Sequence, residues 1–131
     1  MLRLAIPTKA GYADAALADT GALLVDHAHC EHKAAVTALS FVSKYPDDPV
    51  LVSSLASLAR DEAGHFATMV DVCAARGLGL GHPEPDVYVA RLLKVARAGV
   101  VEQRVDRLLC CAFIEARSCE RLALLRDAFA R

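Results

Sequence analysis

Apolar residues recur along most of this chain at alternating steps of three and four, the pattern of helices with one buried stripe each. A first helix is predicted from about Asp14 to Lys44, with the stripe Leu24, Ala28, position 31, Ala35, Ala38 and Val42. Tyr45-Pro46-Asp47-Asp48-Pro49 stops it, because two prolines and two aspartates favour a turn. A second helix follows from about Val50 to Arg76, with the stripe Leu51, Leu55, Leu58, positions 62 and 65, Met69 and Val72. Glycines and prolines mark 77–86 as a loop, and a short helix is predicted over roughly Val87 to Ala98. A last helix runs from about Val101 to the C-terminus, with the stripe Val101, Val105, Leu108, Ala112, position 115, Cys119 and Leu122. Glu31, Glu62, His65 and Glu115 occupy the numbered gaps. Each long helix therefore carries ionisable groups on the stripe it is expected to bury.

Composition narrows the class. With 131 residues, 55% of them hydrophobic, the chain fits one domain, 1–131, with a proper core. Only 5% of residues are aromatic, and a composition rich in Ala, Leu, Val and Arg favours helix over sheet. The expected class is all-α. A formal net charge of -1 gives no overall basic character, so any nucleic-acid contact must be a local patch. No apolar run approaches the length of a membrane span and no cleavage-site pattern stands at the N-terminus, so a cytoplasmic protein without membrane association is expected. The five cysteines include no CxxC pair and read as reduced, mostly small core residues.

The ionisable gaps then acquire a chemistry. The tight turn makes the first two long helices antiparallel neighbours, and at 1.5 Å rise per residue Glu31, Glu62 and His65 all fall roughly 24 Å from it. A buried carboxylate costs several kcal/mol unless compensated. The stripes supply no Lys or Arg, so a bound cation is the natural counter-charge. Glu62-Ala-Gly-His65 is a Glu-x-x-His pattern, which sets both side chains on adjacent turns of one helix face, as in carboxylate-bridged dimetal bundles. Carboxylate and imidazole donors suit iron or manganese. Alone the pattern is weak; joined to Glu31 and Glu115 on matching stripes it is a metal-site signature. A pairing of Glu62 with His65, with Glu31 and Glu115 reaching solvent, is the plain structural alternative.

The stretches LLVDHAHCEHKAAVTALSFVSKYP (23–46), ARDEAGHF (59–66) and DRLLCCAFIEARSCERLALL (106–125) resemble the family of tRNA 2-methylthio-N6-isopentenyladenosine hydroxylases, ferritin-like non-haem diiron monooxygenases. The similarity runs from about Pro7 to Leu125. The resemblance implies a ferritin-like helical bundle whose metal ligands fall on Glu31, Glu62, His65 and Glu115. It also implies a diiron cofactor, O2 and an electron donor as co-reactants, and tRNA as substrate, hydroxylated on the isopentenyl group of a hypermodified adenosine near the anticodon. Members of the family continue into a further helix with a second Glu-x-x-His. A bundle incomplete at the C-terminus is therefore expected, with three long helices and one short, and its open groove is expected to be covered in a homodimer.

Other residues invite lesser readings. His27, His29 and His32 surround Glu31 in sequence, but their spacing scatters them around the helix, so at most one faces the site. Arg117, Glu120 and Arg121 could orient ligands or substrate, or form interhelical ion pairs. Arg91, Lys94, Arg97, Arg104 and Arg107 form the densest basic cluster, which reads either as tRNA contacts or as a solvated face. Two other classes stay open: a ferritin-like metal-binding protein without tRNA activity, and an inactive truncated helical module.

Overall fold

The computed structural model describes residues 4–130. Its described residues form five helices and no strand: α1 (Tyr12–Leu17), α2 (Thr20–Lys44), α3 (Pro49–Ala75), α4 (Val87–Leu93) and α5 (Val100–Phe129). The all-α class holds. The chain divides into two compact units, 19–83 and 1–18 with 84–131.

The first unit is the α2–α3 hairpin. Its turn is built by the residues that end one helix and start the next. The Tyr45 N–H still reaches back to Phe41 O, and Asp48 caps α3 by accepting the Leu51 N–H at 3.0 Å, with Pro49 in the first turn where no amide is needed. Between the two helices lie Ala28, Ala35, Ala38 and Phe41 of α2 and Leu55, Ala59 and Cys73 of α3, all buried. Alanine dominates this interface, so the two backbones approach closely and short side chains suffice to fill it. At the far end Gly77, with φ of +67°, lets Leu78 N–H bond Cys73 O and Gly77 N–H bond Ala74 O, which satisfies the last carbonyls of α3. The loop beyond it folds back on α2, where His29 Nε2 meets Leu80 O at 2.9 Å.

The second unit packs α5 with α1 and α4. Cys110 Sγ touches Leu92 O of α4, and Arg121 lies 5.1 Å from the Tyr12 ring of α1. The segment ahead of α1 is clasped to α5 by Arg117 and Glu120.

Four expectations change. The single first helix is two, because Asp19 leaves the helical region and accepts the Ala22 N–H, capping α2 afresh. The short helix stops at Leu93 instead of Ala98. Beyond it the Val95 and Ala96 N–H groups bond carbonyls only three residues back, Leu92 O and Leu93 O, and the Arg97 N–H donates to the Asp106 carboxylate. The stripe expected to be buried on the last helix is its exposed face: Val101, Val105 and Leu122 are 71%, 45% and 46% exposed. Cys110, Ala116 and Leu125 are the buried residues of α5. On α3 the buried line is likewise turned slightly, through Leu55, Ala59 and Cys73, leaving Leu58 exposed. Of the cysteines, Cys73 and Cys110 are buried core residues, while Cys30 and Cys119 are exposed; none of the five is in a disulfide.

Candidate metal centre

In each helix of the hairpin a glutamate stands one turn beyond a buried alanine: Ala28 precedes Glu31, and Ala59 precedes Glu62. The small residue lets the helices close at that level, and the carboxylate one turn on faces into the same seam. Glu31 and Glu62 keep only 15% and 13% of their side chains exposed. His65 follows Glu62 by one turn, at the edge of the seam. Its Nδ1 lies 3.3 Å from Glu31 Oε2 and 3.4 Å from Glu62 Oε2, and the ring is 64% exposed. One donor atom each from Glu31, Glu62 and His65 come within 4.8 Å of one another.

Two carboxylates brought together out of water cannot both carry full charge cheaply. Burial, then the hydrogen bond and charge of Glu62, push the Glu31 carboxyl up to about 7, with His65 acting in the opposite direction. His65 is raised from its ordinary value, first by its hydrogen bond with Glu62 and further by Glu31. His27, one turn before Glu31, places Nε2 3.3 Å from Glu31 Oε1, and burial of its ring lowers its pKa. The cluster is thus a compact acidic site with imidazoles against its carboxylates and a carboxyl that takes up a proton near neutrality.

That donor set fits a non-haem iron. Hard carboxylate oxygens with one imidazole nitrogen, converging on one point in a half-buried seam, match the ligand preferences of iron or manganese. A divalent cation would release the proton that Glu31 otherwise holds and relieve the repulsion from Glu62.

The sequence pattern points to four residues for this function, and the structure gathers three of them. Glu115 lies on α5, in the other unit, with its residue exposed. Among the three crowded histidines one faces Glu31, namely His27. His29 ties the 77–83 loop to α2, and His32 packs on Phe66 with ring centroids 5.3 Å apart. The sequence does not single out the contact of His27, although its spacing of four from Glu31 is the signal for it. Arg117 and Glu120 form an ion pair that also binds the N-terminal segment. Thr8 N–H donates to Glu120 Oε2 at 3.1 Å, Arg117 Nη1 to Thr8 Oγ1 at 3.1 Å and Arg117 Nη2 to Ile6 O at 2.8 Å. Their observed contacts are a clasp, and Arg121 stacks on Tyr12. Within the basic cluster Arg97 is held by Asp106 in a two-pronged pair at 2.7 and 2.8 Å; Arg91 and Lys94 are exposed, and Arg104 and Arg107 are half-buried.

Comparisons with known proteins bear on what such a site does. Residues 2–129 match the family model described as tRNA-(MS[2]IO[6]A)-hydroxylase. The chain is 42% identical over 122 residues to the tRNA 2-(methylsulfanyl)-N(6)-isopentenyladenosine(37) hydroxylase of Pseudomonas putida, covering 93% of this chain and 60% of that protein. It is 29% identical over 150 residues to the enzyme of the same name from Salmonella typhimurium, covering 79% of this chain and 56% of that protein. The chain therefore spans rather more than half the length of these relatives. Among solved structures it is similar to a Synechococcus protein described as having aldehyde deformylating oxygenase activity. That similarity has a TM-score of 0.87 and 38% identity, over 95% of this chain and 62% of that one.

Proposed function

Because the chain belongs to the tRNA-(MS[2]IO[6]A)-hydroxylase family, we propose that it serves a ferritin-like non-haem diiron monooxygenase that hydroxylates the isopentenyl group of a hypermodified adenosine in tRNA. The observation that carries this reading is the convergence of Glu31, Glu62 and His65 in the α2–α3 seam of a chain with that family's sequence. Family and oxygenase neighbour together point to non-haem iron. Glu31, Glu62 and His65 would hold it, with Glu115 proposed as a further ligand by family resemblance. Bound iron would supply the activation of O2, one oxygen entering the substrate C–H bond and the other leaving as water, with two electrons from an external donor and two protons.

The chain's own residues prepare that chemistry. Glu31 and Glu62 offer two carboxylates in a seam already sheltered from bulk water, so ligand arrangement needs little change on metal entry. His65, on the rim, keeps a nitrogen directed at both. Glu31, its carboxyl raised to about 7 by its surroundings, exchanges a proton near neutrality before a metal ion enters. Arg91, Lys94, Arg104 and Arg107, beside the Arg97–Asp106 pair, are the proposed phosphate contacts for tRNA. Apolar residues exposed along α5, Val101, Val105 and Leu122 among them, are the proposed face for a homodimer. Sedimentation at micromolar concentration checks this, and a stable monomer would remove it.

The test of function is reconstitution of the chain with iron, a reductant and tRNA carrying the isopentenyl modification, followed by mass spectrometry of the released nucleosides. Gain of one oxygen on the modified adenosine is the expected result; iron binding with no change in the nucleoside would instead favour a metal-binding protein without tRNA activity. The activity of the Synechococcus relative motivates a second reading, oxidation of an aldehyde with loss of its carbonyl carbon. The same preparation given an aldehyde and assayed for formate separates the two.

A further inference from the structure

His27 enters none of the roles assigned so far. It stands one helical turn before Glu31, and each oxygen of the Glu31 carboxylate has its own imidazole. His27 Nε2 lies 3.3 Å from Oε1, and His65 Nδ1 lies 3.3 Å from Oε2. The set of donors that lie within 4.8 Å of one another comprises Glu31, Glu62 and His65. His27 stands outside that set and reaches it only through Glu31. A glutamate carboxylate turns freely about its last torsion unless something holds it. Rotation of that carboxylate would carry Oε2 away from His65; the contact of His27 with Oε1 opposes it by engaging the other oxygen.

We propose that His27 is a positioning residue of the metal centre: with its proton on Nε2 it holds Glu31 Oε1, and so keeps Oε2 directed at Glu62 and His65 as the oxygen that meets a metal ion. The proposal rests on the reading of Glu31, Glu62 and His65 as ligands and adds to it a residue that binds no metal itself. Groups that orient a ligand in this way change metal affinity by about 10- to 100-fold when removed. The helical spacing of four explains why the role falls on this histidine. His29 and His32, at other angles around α2, are engaged by Leu80 and Phe66.

The test is a titration of the metal-free chain with Co(II) alone, read by its visible absorption, for the parent, His27→Leu, His27→Gln and Glu62→Ala. The parent should bind and Glu62→Ala should not. His27→Leu should bind about 10- to 100-fold more weakly, with an altered cobalt spectrum, while melting like the parent without metal. His27→Gln keeps an N–H donor at that reach and should recover most of the affinity. An unchanged affinity and spectrum in His27→Leu overturns the proposal, as does a Gln variant as weak as the Leu variant. So does a lower melting temperature with an unaltered cobalt spectrum, which marks a purely structural role. Should His27→Leu not fold, His27→Asn, too short to reach Oε1, takes its place with the same expectation. A parent that binds no Co(II), or a Glu62→Ala variant that binds like the parent, overturns the ligand reading itself and the role of His27 with it.

Discussion

Replacing Glu31 by Gln should make the metal-free protein more stable and the metal-bound protein impossible. The reasoning is electrostatic. Burial and Glu62 raise the Glu31 carboxyl from 4.5 to about 7 in the folded chain. A carboxyl raised on folding favours the fold fully below its unfolded value and progressively less as pH climbs to its folded value. The metal-free parent should therefore lose stability between pH 4.5 and about 7 and stay at the lower level above. At about 1.4 kcal/mol per pH unit the loss is at most roughly 3.5 kcal/mol. The raised His65 acts in the same sense, its contribution being present below its ordinary value and fading above it, but its exposed ring keeps that contribution small. Gln resembles the protonated acid and does not titrate. At about pH 4 the two proteins should melt together, and at about pH 8 in a chelator Glu31→Gln should melt higher by up to about 10 °C, the shift expected for that free energy in a chain of this size. Circular dichroism melts at the two pH values provide the measurement. Adding Fe(II) without oxygen should then raise the parent's midpoint by mass action and leave the variant's in place. A variant no more stable than the parent at the higher pH, or a difference that is the same at the lower, would refute the argument that Glu31 is an acid held out of its charged state for a cation.

Two further outcomes follow from the packing. Asp106, held well below the usual carboxylate range, to about 2, by hydrogen bonds from the Arg97 side chain and backbone, contributes stability above its ordinary 3.8 that is lost as pH falls through about 2. Urea melts of Asp106→Asn should show a less stable protein at neutral pH and no acid loss over that interval; a variant that matches the parent at neutral pH would contradict this. Ala28, fully buried where α2 and α3 close, should not tolerate Leu: the fold should lose about 1–3 kcal/mol by overpacking, and iron affinity should fall because the helices are forced apart a single turn away from Glu31. Equal denaturation midpoints for Ala28→Leu and parent would count against the close-packed seam.

The hairpin is legible in the sequence because its signals are local and mutually consistent. Turn residues at 45–49 stop one helix and cap the next, and the alternation of three and four aligns Ala28, Ala35 and Ala38 with the opposite stripe. From there Glu31, Glu62 and His65 fall at one level by counting residues from the turn, and the structure places them there. What the sequence hides depends on contacts distant along the chain. The Arg97–Asp106 pair just past α4 joins a loop to a later helix, and the clasp of Arg117 and Glu120 on Thr8 spans most of the chain. Asp19 is concealed because an aspartate inside a run of helix formers reads as an exposed helical residue until its side chain is seen capping Ala22. On α5 periodicity finds an apolar stripe but not which face packs: Cys110, Ala116 and Leu125 are small or widely spaced, a weaker pattern than the exposed Val101, Val105 and Leu122. His27, four residues before Glu31, is the one of the three nearby histidines whose spacing suits a contact, and the side-chain geometry shows it made.

The measurement that bears most directly on the central claim is metal content after equilibrium dialysis against Fe(II) under anaerobic, reducing conditions, with the parent and Glu62→Ala side by side. Glu62 is chosen because it faces Glu31 and contacts His65 and so joins the three proposed ligands, while leaving the buried alanines of the seam untouched. The account predicts iron in stoichiometric amount on the parent and none above background on the variant. Equal iron on both chains, or none on either, would contradict it.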